Sequence, residues 1–316
     1  MAFNHESTTD DVISGIDVKN KRVVVTGASA GLGIETCRVL AGAGARVTML
    51  ARDNAKLMAA YDGICEEFPD AFLGADELDL ADLDSIRSTT DRLLRAMDRI
   101  DILINNAGVM ACPQAKTKDG FELQFGTNHL GHFLFTCRLV PLLLAGAPAR
   151  VVNLSSAGHR FSAMDFDDPN FETREYDKWV AYGQSKTANA LFSVGLNTRL
   201  ADRGVTANAV HPGMIVTELG RHLDQSDIEA LQARASSMTV GFKTIPQGAA
   251  TSVWAATSPE LEGRGGLYLE DCHIAEPATD DSSGGVHDYA LDPDAAERLW
   301  ELSEQLVGET FSLEAS

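Results

Sequence analysis

The chain has 316 residues, 44% of them hydrophobic, with 46 acidic against 26 basic side chains and a formal net charge of −20. That length and apolar content bury a full core more readily as one large α/β domain than as two small ones. The acidic balance excludes nucleic acid and anionic membranes as general partners, since both repel such a surface.

Residues 1–20 are polar, with neither an apolar signal core nor a cleavage pattern, and read as a flexible extension ahead of a single domain over 21–316. No apolar run reaches membrane-spanning length, so a soluble, cytoplasmic protein is expected. Cys37, Cys65, Cys112, Cys137 and Cys272 are scattered without a Cys-x-x-Cys pair. Reduced thiols follow, with neither a disulfide framework nor a zinc site.

The first strand is Arg22 to Thr26, a β-branched run that stops at glycines, as in a strand buried on both faces. Ile34, Cys37, Leu40 and Ala41 then recur at helical spacing until Gly42 and Gly44. Val47 to Leu50 is the next strand, followed by a helix over Ala55 to Phe68, a strand toward Leu78, a helix over Leu83 to Met97 and a strand at Ile102 to Asn105. The pattern continues with a long helix through Leu134 to Leu144, a strand Arg150 to Leu154, a helix Val180 to Leu200 and a strand Val205 to Val210. Strands separated by helices make right-handed parallel crossovers. The expected fold is therefore α/β: a single doubly wound parallel, Rossmann-type sheet of about seven strands with helices on both faces.

Between Met214 and Ile245 the periodicity weakens to one or two short helices and loops, a segment placed to act as a substrate lid over 214–245. A helix Pro246 to Thr257, a short strand Gly266 to Leu269, an acidic Gly/Ser loop and a C-terminal helix Pro293 to Leu306 complete the chain.

Thr26-Gly27-Ala28-Ser29-Ala30-Gly31-Leu32-Gly33 lies between the first strand and first helix, where a pyrophosphate can rest on a helix N-terminus. Its Gly-x-x-x-Gly-x-Gly spacing differs from the Gly-x-Gly-x-x-Gly of many dinucleotide sites. By analogy of role Gly27 allows the turn, Gly31 admits phosphates and Gly33 lets helix and strand approach. A flexible turn without a ligand is the plain alternative. Farther on, Tyr182 and Lys186 stand four apart, on one face if helical, so that an ammonium can hold down the proton affinity of a phenol. An unmodified tyrosine, with a pKa near ~10, is a poor acid-base catalyst at neutral pH.

The glycine turn, Asn105-Asn106-Ala107-Gly108 after the fourth strand, Ser155-Ser156 after the fifth, Tyr182 to Lys186, and Pro212-Gly213 after the sixth together resemble the short-chain dehydrogenase/reductase family. The likeness spans residues 20 to 275. Asn128-His129-Leu130-Gly131-His132-Phe133 and the long run from Ser156 to Tyr182 are most similar to its retinol-dehydrogenase-like branch. The branch's common hydrophobic N-terminal anchor is not seen, so retinoid specificity is not carried over.

The resemblance implies catalytic roles for Asn128, Ser156, Tyr182 and Lys186. Tyr182 is general acid or base, Lys186 its modulator and ribose clamp, and Ser156 the partner of the carbonyl or alcohol oxygen. Ser156 is preferred to Ser155 because the second of paired serines holds the family's catalytic position. Asn128 completes the tetrad through its backbone. Implied cofactor contacts are Gly27, Ser29, Gly31, Leu32, Gly33, Asp79 and Leu80 at the adenine, Asn106, Ala107, Gly108, Tyr182, Lys186, and Pro212, Gly213, Ile215 and Thr217 at the nicotinamide. At the end of the second strand Ala51 stands at the NAD-selective acid position and Arg52 follows it. A cation there suits a 2′-phosphate, which favours NADP(H) over NAD(H); a surface couple between Arg52 and Asp53 is the alternative.

No third ligand accompanies His129, His132 or His159, and no metal site is expected. The implied activity is hydride transfer between NADP(H) and a small hydrophobic or aromatic secondary alcohol or ketone. An NAD-dependent catabolic alcohol dehydrogenase and a non-catalytic NADP(H) sensor are the alternatives. Val109 to Cys112, Ala157 to Met164, Trp179 and residues from Met214 onward are the expected pocket walls. A homodimer or homotetramer would pair through the Tyr-bearing helix, unless the approach from Ala157 to Ala181 covers that face.

Overall fold

Val23, Val24 and Val25 are wholly buried, which makes β1 (Arg22–Thr26) a central strand covered on both faces. The computed structural model describes residues 3–237, 241–279 and 284–313. Around β1 the sheet runs β3 (Phe72–Glu77), β2 (Arg46–Ala51), β1, β4 (Ile102–Asn105), β5 (Ala149–Leu154), β6 (Val205–His211), β7 (Tyr268–Glu270) and β8 (His273–Ile274). All neighbours are parallel except β7 with β8. The order reverses between β1 and β4, so the loops after these two strands flank the crevice where ligands of such sheets bind.

One face of the sheet is packed by α4 (Leu83–Ala96), α6 (Gly131–Arg138), α8 (Lys178–Leu200) and α11 (Pro293–Val307), through Ile86, Phe133, Leu191 and Trp300. The other is packed by α2 (Gly31–Gly42), α3 (Asn54–Glu67) and α10 (Ile245–Thr257), through Leu40, Leu57 and Trp254. This is the doubly wound architecture expected, with one strand more. The extra strand, β8, is two residues long and too short to leave a periodic signal.

Two further expectations are corrected. Residues 3–20 are not a flexible extension: α1 (Thr9–Ile13) has a capping box between Thr8 and Asp11, and Thr9, Val12 and Val18 are buried. The Thr9 hydroxyl donates to Glu35 on α2, and α1 lies against α2 and α10. The single helix read through Leu134 to Leu144 is broken at Leu139, and Pro141 stands in the first turn of the new helix α7 (Val140–Ala145). Proline has no N–H to give and its ring clashes with the carbonyl four residues back. Upstream, α6 follows a short α5 (Leu123–Phe125) and a π turn, Gly126–Leu130, which contains Asn128.

The lid segment contains a 3-10 turn at Glu218–Gly220 and α9 (Gln225–Ser237). Residues 238–240 of that segment and 280–283 of the acidic Gly/Ser loop lie outside the described residues.

Candidate active site

The glycine turn is held by contacts that leave no room for side chains. A Cβ on Gly33 would stand 2.1 Å from the Gly27 carbonyl oxygen, and one on Gly27, whose φ is +67°, would stand 2.7 Å from Ala107 Cα. Helix α2 starts here with Ala30 as its N-cap, which supplies no side-chain cap, and with no acid in the first turn. By contrast α3, α4, α8 and α11 are each capped by an aspartate, Asp53, Asp82, Asp177 and Asp292. A helix N-terminus with unclaimed N–H groups and glycines packed tightly around it suits a pyrophosphate, so the residues present fit a dinucleotide.

The loop after β4 is fastened to this turn. The Thr26 hydroxyl oxygen accepts from the main-chain N–H groups of Asn106 (3.0 Å) and Ala107 (3.1 Å), and Asn106 Nδ2 donates to Thr26 O (2.9 Å) and Gly27 O (3.3 Å). Ser29 and Leu32 are half-buried in and beside the turn, and Leu32 together with Ile215 faces Gly248 on α10. Thr217 faces Gly31, so the start of the lid meets the turn.

Arg52 and Asp79 stand just beyond the C-terminal ends of β2 and β3. Arg52 is exposed and, among the described residues, makes no ion pair. The couple with Asp53 is not formed: Asp53 instead accepts from Lys56 N at 3.0 Å to cap α3. Asp79 shapes its loop by accepting from Ala81 N at 2.9 Å, and the neighbouring Leu80 is buried against Gly131.

Asn128, Ser156, Tyr182 and Lys186 converge at the C-terminal ends of β4 and β5. Ser156 ends the turn after β5 and accepts from Gly158 N at 3.0 Å. A Cβ on Gly158 would stand 2.6 Å from Tyr182 Cε1, so glycine lets the phenol ring close beside Ser156. Ser155, by contrast, is buried and donates to Lys186 O at 2.8 Å, a bond that fixes α8 to the sheet. Asn128 grips the loop after β4 twice, accepting from Val109 N at 2.8 Å and donating to Val109 O at 2.9 Å, and donates also to Ser185 Oγ at 2.9 Å. Asn128 Oδ1 and Lys186 Nζ both face Gly108.

Burial dominates the electrostatics. It pushes the Tyr182 phenol up to about 12, against the lowering effect of the Ser156 hydroxyl. It pulls Lys186 down to about 7, although its ammonium donates to Leu154 O at 2.9 Å. The ammonium lies 5.8 Å from the centroid of the Tyr182 ring.

Several residues escaped the sequence reading. His211, at the end of β6, accepts at Nδ1 from Ala157 N (3.1 Å) and Gly213 N (3.4 Å), joining the Ser156 turn to Pro212-Gly213. The buried Lys243 returns from the far end of the lid, pairs with Asp271, and lies against Gly213. Asp227 of α9 is buried, accepts from Lys178 Nζ (2.6 Å) and Trp179 Nε1 (3.2 Å), and so docks the lid on the start of α8. Trp179 in turn sits edge-on to Tyr182 and Phe161, at 6.5 and 5.6 Å between ring centroids. The His211–Ala157, Lys243–Asp271 and Asp227–Lys178 partnerships do not follow from spacing, because each joins distant parts of the chain. His129 and His132 do not share a ligand: His129 bonds Ser303 Oγ at 2.8 Å, and His132 lies between Thr26 and Asn128.

A doubly wound sheet with a phosphate-ready glycine turn and a Ser-Tyr-Lys cluster at its carboxyl edge defines a dinucleotide-binding α/β protein. The family model for short chain dehydrogenase matches residues 21–227, and the chain belongs to that family. It falls in the retinol-dehydrogenase-like branch. It is 42% identical over 301 residues to retinol dehydrogenase 14 of Mus musculus, covering 91% of this chain and 86% of the relative. Among solved structures it is similar to a protein of Mycobacterium paratuberculosis, with a TM-score of 0.74, 35% identity, and coverage of 95% of this chain and 98% of the other. It is also similar to the Pseudomonas aeruginosa RhlG/NADP complex, with a TM-score of 0.65, 26% identity, and coverage of 80% and 95%. Among the described residues no helix is long and apolar enough to cross a membrane.

Proposed function

We propose that the chain is an NADP(H)-dependent oxidoreductase that interconverts a hydrophobic secondary alcohol and its ketone. The observation that carries this reading is the closure of the Tyr182 ring beside Ser156, with Lys186 on the adjacent turn of the same buried helix. NADP(H), when bound, supplies or accepts the hydride. Ser156 donates a hydrogen bond to the substrate oxygen as negative charge grows on it, and Tyr182 gives that oxygen its proton; in oxidation Tyr182 takes the proton back. Lys186 presents a cation on the Tyr182 side of the site. Gly27, Ser29, Gly31, Leu32 and Gly33 hold the pyrophosphate, Asp79 and Leu80 the adenine, and Asn106 to Gly108, Pro212, Gly213, Ile215 and Thr217 the nicotinamide end.

Arg52, exposed and without an ion pair among the described residues, favours the 2′-phosphate, and the likeness to an NADP complex agrees with it. Trp179 and Phe161 line the approach to Tyr182 with apolar surface, which suits a substrate of that character; Met164, expected as a pocket wall, is buried in the core instead.

The test is turnover of NADPH with a panel of aliphatic and aromatic ketones, and of NADP+ with the matching alcohols, by wild type and Tyr182→Phe. Loss of nearly all turnover in the variant is expected. Unchanged turnover of an accepted substrate would overturn the mechanism. Arg52→Ala should weaken NADP+ binding about tenfold or more and leave NAD+ unchanged; equal effects on both cofactors would sink the selectivity argument.

A further inference from the structure

We propose that His132 is a positioning residue, held as one neutral tautomer, that ties the nucleotide turn to the Asn128 and Lys186 side of the site. This rests on the reading of Tyr182 and Lys186 as the proton-transfer pair, but its structural content stands on hydrogen-bond bookkeeping alone.

The imidazole is buried between two groups whose roles are already fixed. On one side is Thr26 Oγ1, 2.9 Å from Nε2. That hydroxyl accepts from two main-chain N–H groups, those of Asn106 and Ala107, so both its lone pairs are engaged and only its proton is left to give. Nε2 must therefore accept. On the other side Nδ1 lies 2.9 Å from the main-chain oxygen of Asn128, which can only accept. Nδ1 must therefore carry the proton. The two ends demand the same Nδ1–H tautomer independently of each other. Burial supports the neutral form by pulling the imidazole down to about 4, with the nearby Lys186 cation acting in the same direction.

The Asn128 carbonyl sits in the π turn, where Gly131 N reaches back to Gly126 O and the helical register is displaced by a residue. Fixing that carbonyl fixes the residue whose side chain clamps Val109 and bonds Ser185. Ser185 donates in turn to Tyr182 O at 2.8 Å. A continuous series of hydrogen bonds thus runs from the glycine turn through His132 and Asn128 to the Tyr-bearing helix. No other described side chain bonds both Thr26 and Asn128. Displacing one reacting group by about 1 Å costs on the order of 10²-fold in rate, which is the scale on which such a brace matters.

The test has one part that needs no turnover. Long-range 1H–15N spectra of the histidine-labelled protein should show one imidazole locked with its proton on Nδ1 and not titrating between pH 5.5 and 8.5, absent in His132→Gln. An Nε2–H tautomer, or a midpoint inside that range, would overturn the proposal. In the second part, His132→Leu removes both bonds, whereas His132→Gln offers a donor and an acceptor on one side chain. The leucine variant is expected to lose about 10²-fold in kcat and about tenfold in NADPH affinity measured by cofactor fluorescence, with the glutamine variant recovering most of both. Wild-type values in a folded His132→Leu would refute the positioning role. If leucine prevents folding, the tautomer and the glutamine variant's NADPH affinity decide. Retained turnover in Tyr182→Phe would fail the functional reading while leaving the tautomer and affinity results to judge His132.

Discussion

Lys186 Nζ stands 5.8 Å from the centroid of the Tyr182 ring and is tied to the carbonyl oxygen of Leu154 at 2.9 Å. The spacing of these two residues suggests a cation that holds a phenol's proton affinity down. Among the chain's own groups burial outweighs that attraction: the phenol is pushed up to about 12 and the ammonium pulled down to about 7. The pair is thus poised with the proton on the tyrosine and with a lysine whose charge is costly to keep.

That cost sets a pH dependence of stability. Between about 7, the folded value, and 10.5, the ordinary one, the unfolded chain binds more protons at Lys186 than the folded chain, so stability rises with pH across that window. Above about 10 Tyr182 acts oppositely, because its folded form holds the proton longer. Lys186→Met should lack the rise. Urea midpoints of both proteins at pH 7 and pH 9.5 measure it: the parent is expected to gain relative to the variant by up to a few kcal/mol, since each tenfold difference in proton affinity between the folded and unfolded chain is worth about 1.4 kcal/mol. Parallel pH profiles would show that the ammonium is not strained by burial.

Acid should destabilise the protein through its buried imidazoles. Burial pulls His129 down to about 3 and His132 and His159 to about 4. Between pH 6.5 and 4 the unfolded chain takes up protons that these sites refuse, so stability falls as pH falls through that range. Glu122 and Glu270, whose carboxyls burial pushes up, run against the trend. His129→Phe separates the terms, since His129 already stacks on Phe125 at 5.3 Å between centroids and a phenyl ring keeps that packing. Thermal unfolding of the variant is expected to depend less on pH between 6.5 and 4 than that of the parent. An equal or steeper dependence would remove His129 from the account.

Asp227 offers a handle on the lid. It is the only described lid residue that bonds the Trp179 indole, and it shares Lys178 with Asp224. Asp227→Ala should free α9 from α8 and loosen Trp179 over Tyr182. The expected result is a several-fold higher KM for bulky apolar substrates with NADPH affinity unchanged, together with altered fluorescence of Trp179, assigned by Trp179→Phe. A variant with wild-type KM across the panel would show that docking the lid does not shape the substrate site.

How much of this was legible in the sequence follows from how local each signal is. Val23 to Val25, the glycine turn and the Tyr182–Lys186 spacing are local, and the structure places each on the element expected. Pro141 is local too, and the apolar run around it concealed a break that its missing N–H makes necessary. Thr9 and Val12 look like part of a polar tail because the surface they bury against, on α2 and α10, lies far along the chain. The same holds at the site. Nothing beside His132 announces Thr26, and nothing beside Asp227 announces Lys178 and Trp179; such partners exist only once the strands are ordered.

Oligomeric state is the last consequence of that ordering. The Tyr-bearing helix α8 is the face through which the resemblance implies pairing, and the stretch from Ala157 to Ala181 is one candidate to cover it. That stretch does pack on α8, with Gly183 against Gly158 and Phe161 and the Thr187 hydroxyl donating to Ser162 O at 2.7 Å, and the chain's own C-terminal helix covers the helix as well. Trp300 of α11 sits edge-on to Phe133 at 5.0 Å and near Phe192 at 6.0 Å between centroids, with the Arg199 guanidinium 4.0 Å above it. Arg199 also pairs with Glu297 at 2.7 Å. Beyond the helix, Arg87 and Arg138 both bind Glu309 at 2.7 Å, and Phe311 lies against Phe133 at 5.9 Å. Stripping α11 away to admit a second copy would expose Leu299, Trp300 and Val307, whose apolar burial is worth about 1.5–3 kcal/mol per side chain. The protein is therefore predicted to be a monomer, with a mass of 33.9 kDa by light scattering across a hundredfold range of concentration. A species of twice that mass, persisting on dilution and unaffected by charge substitutions on the exposed side of α11, would show that a different face pairs.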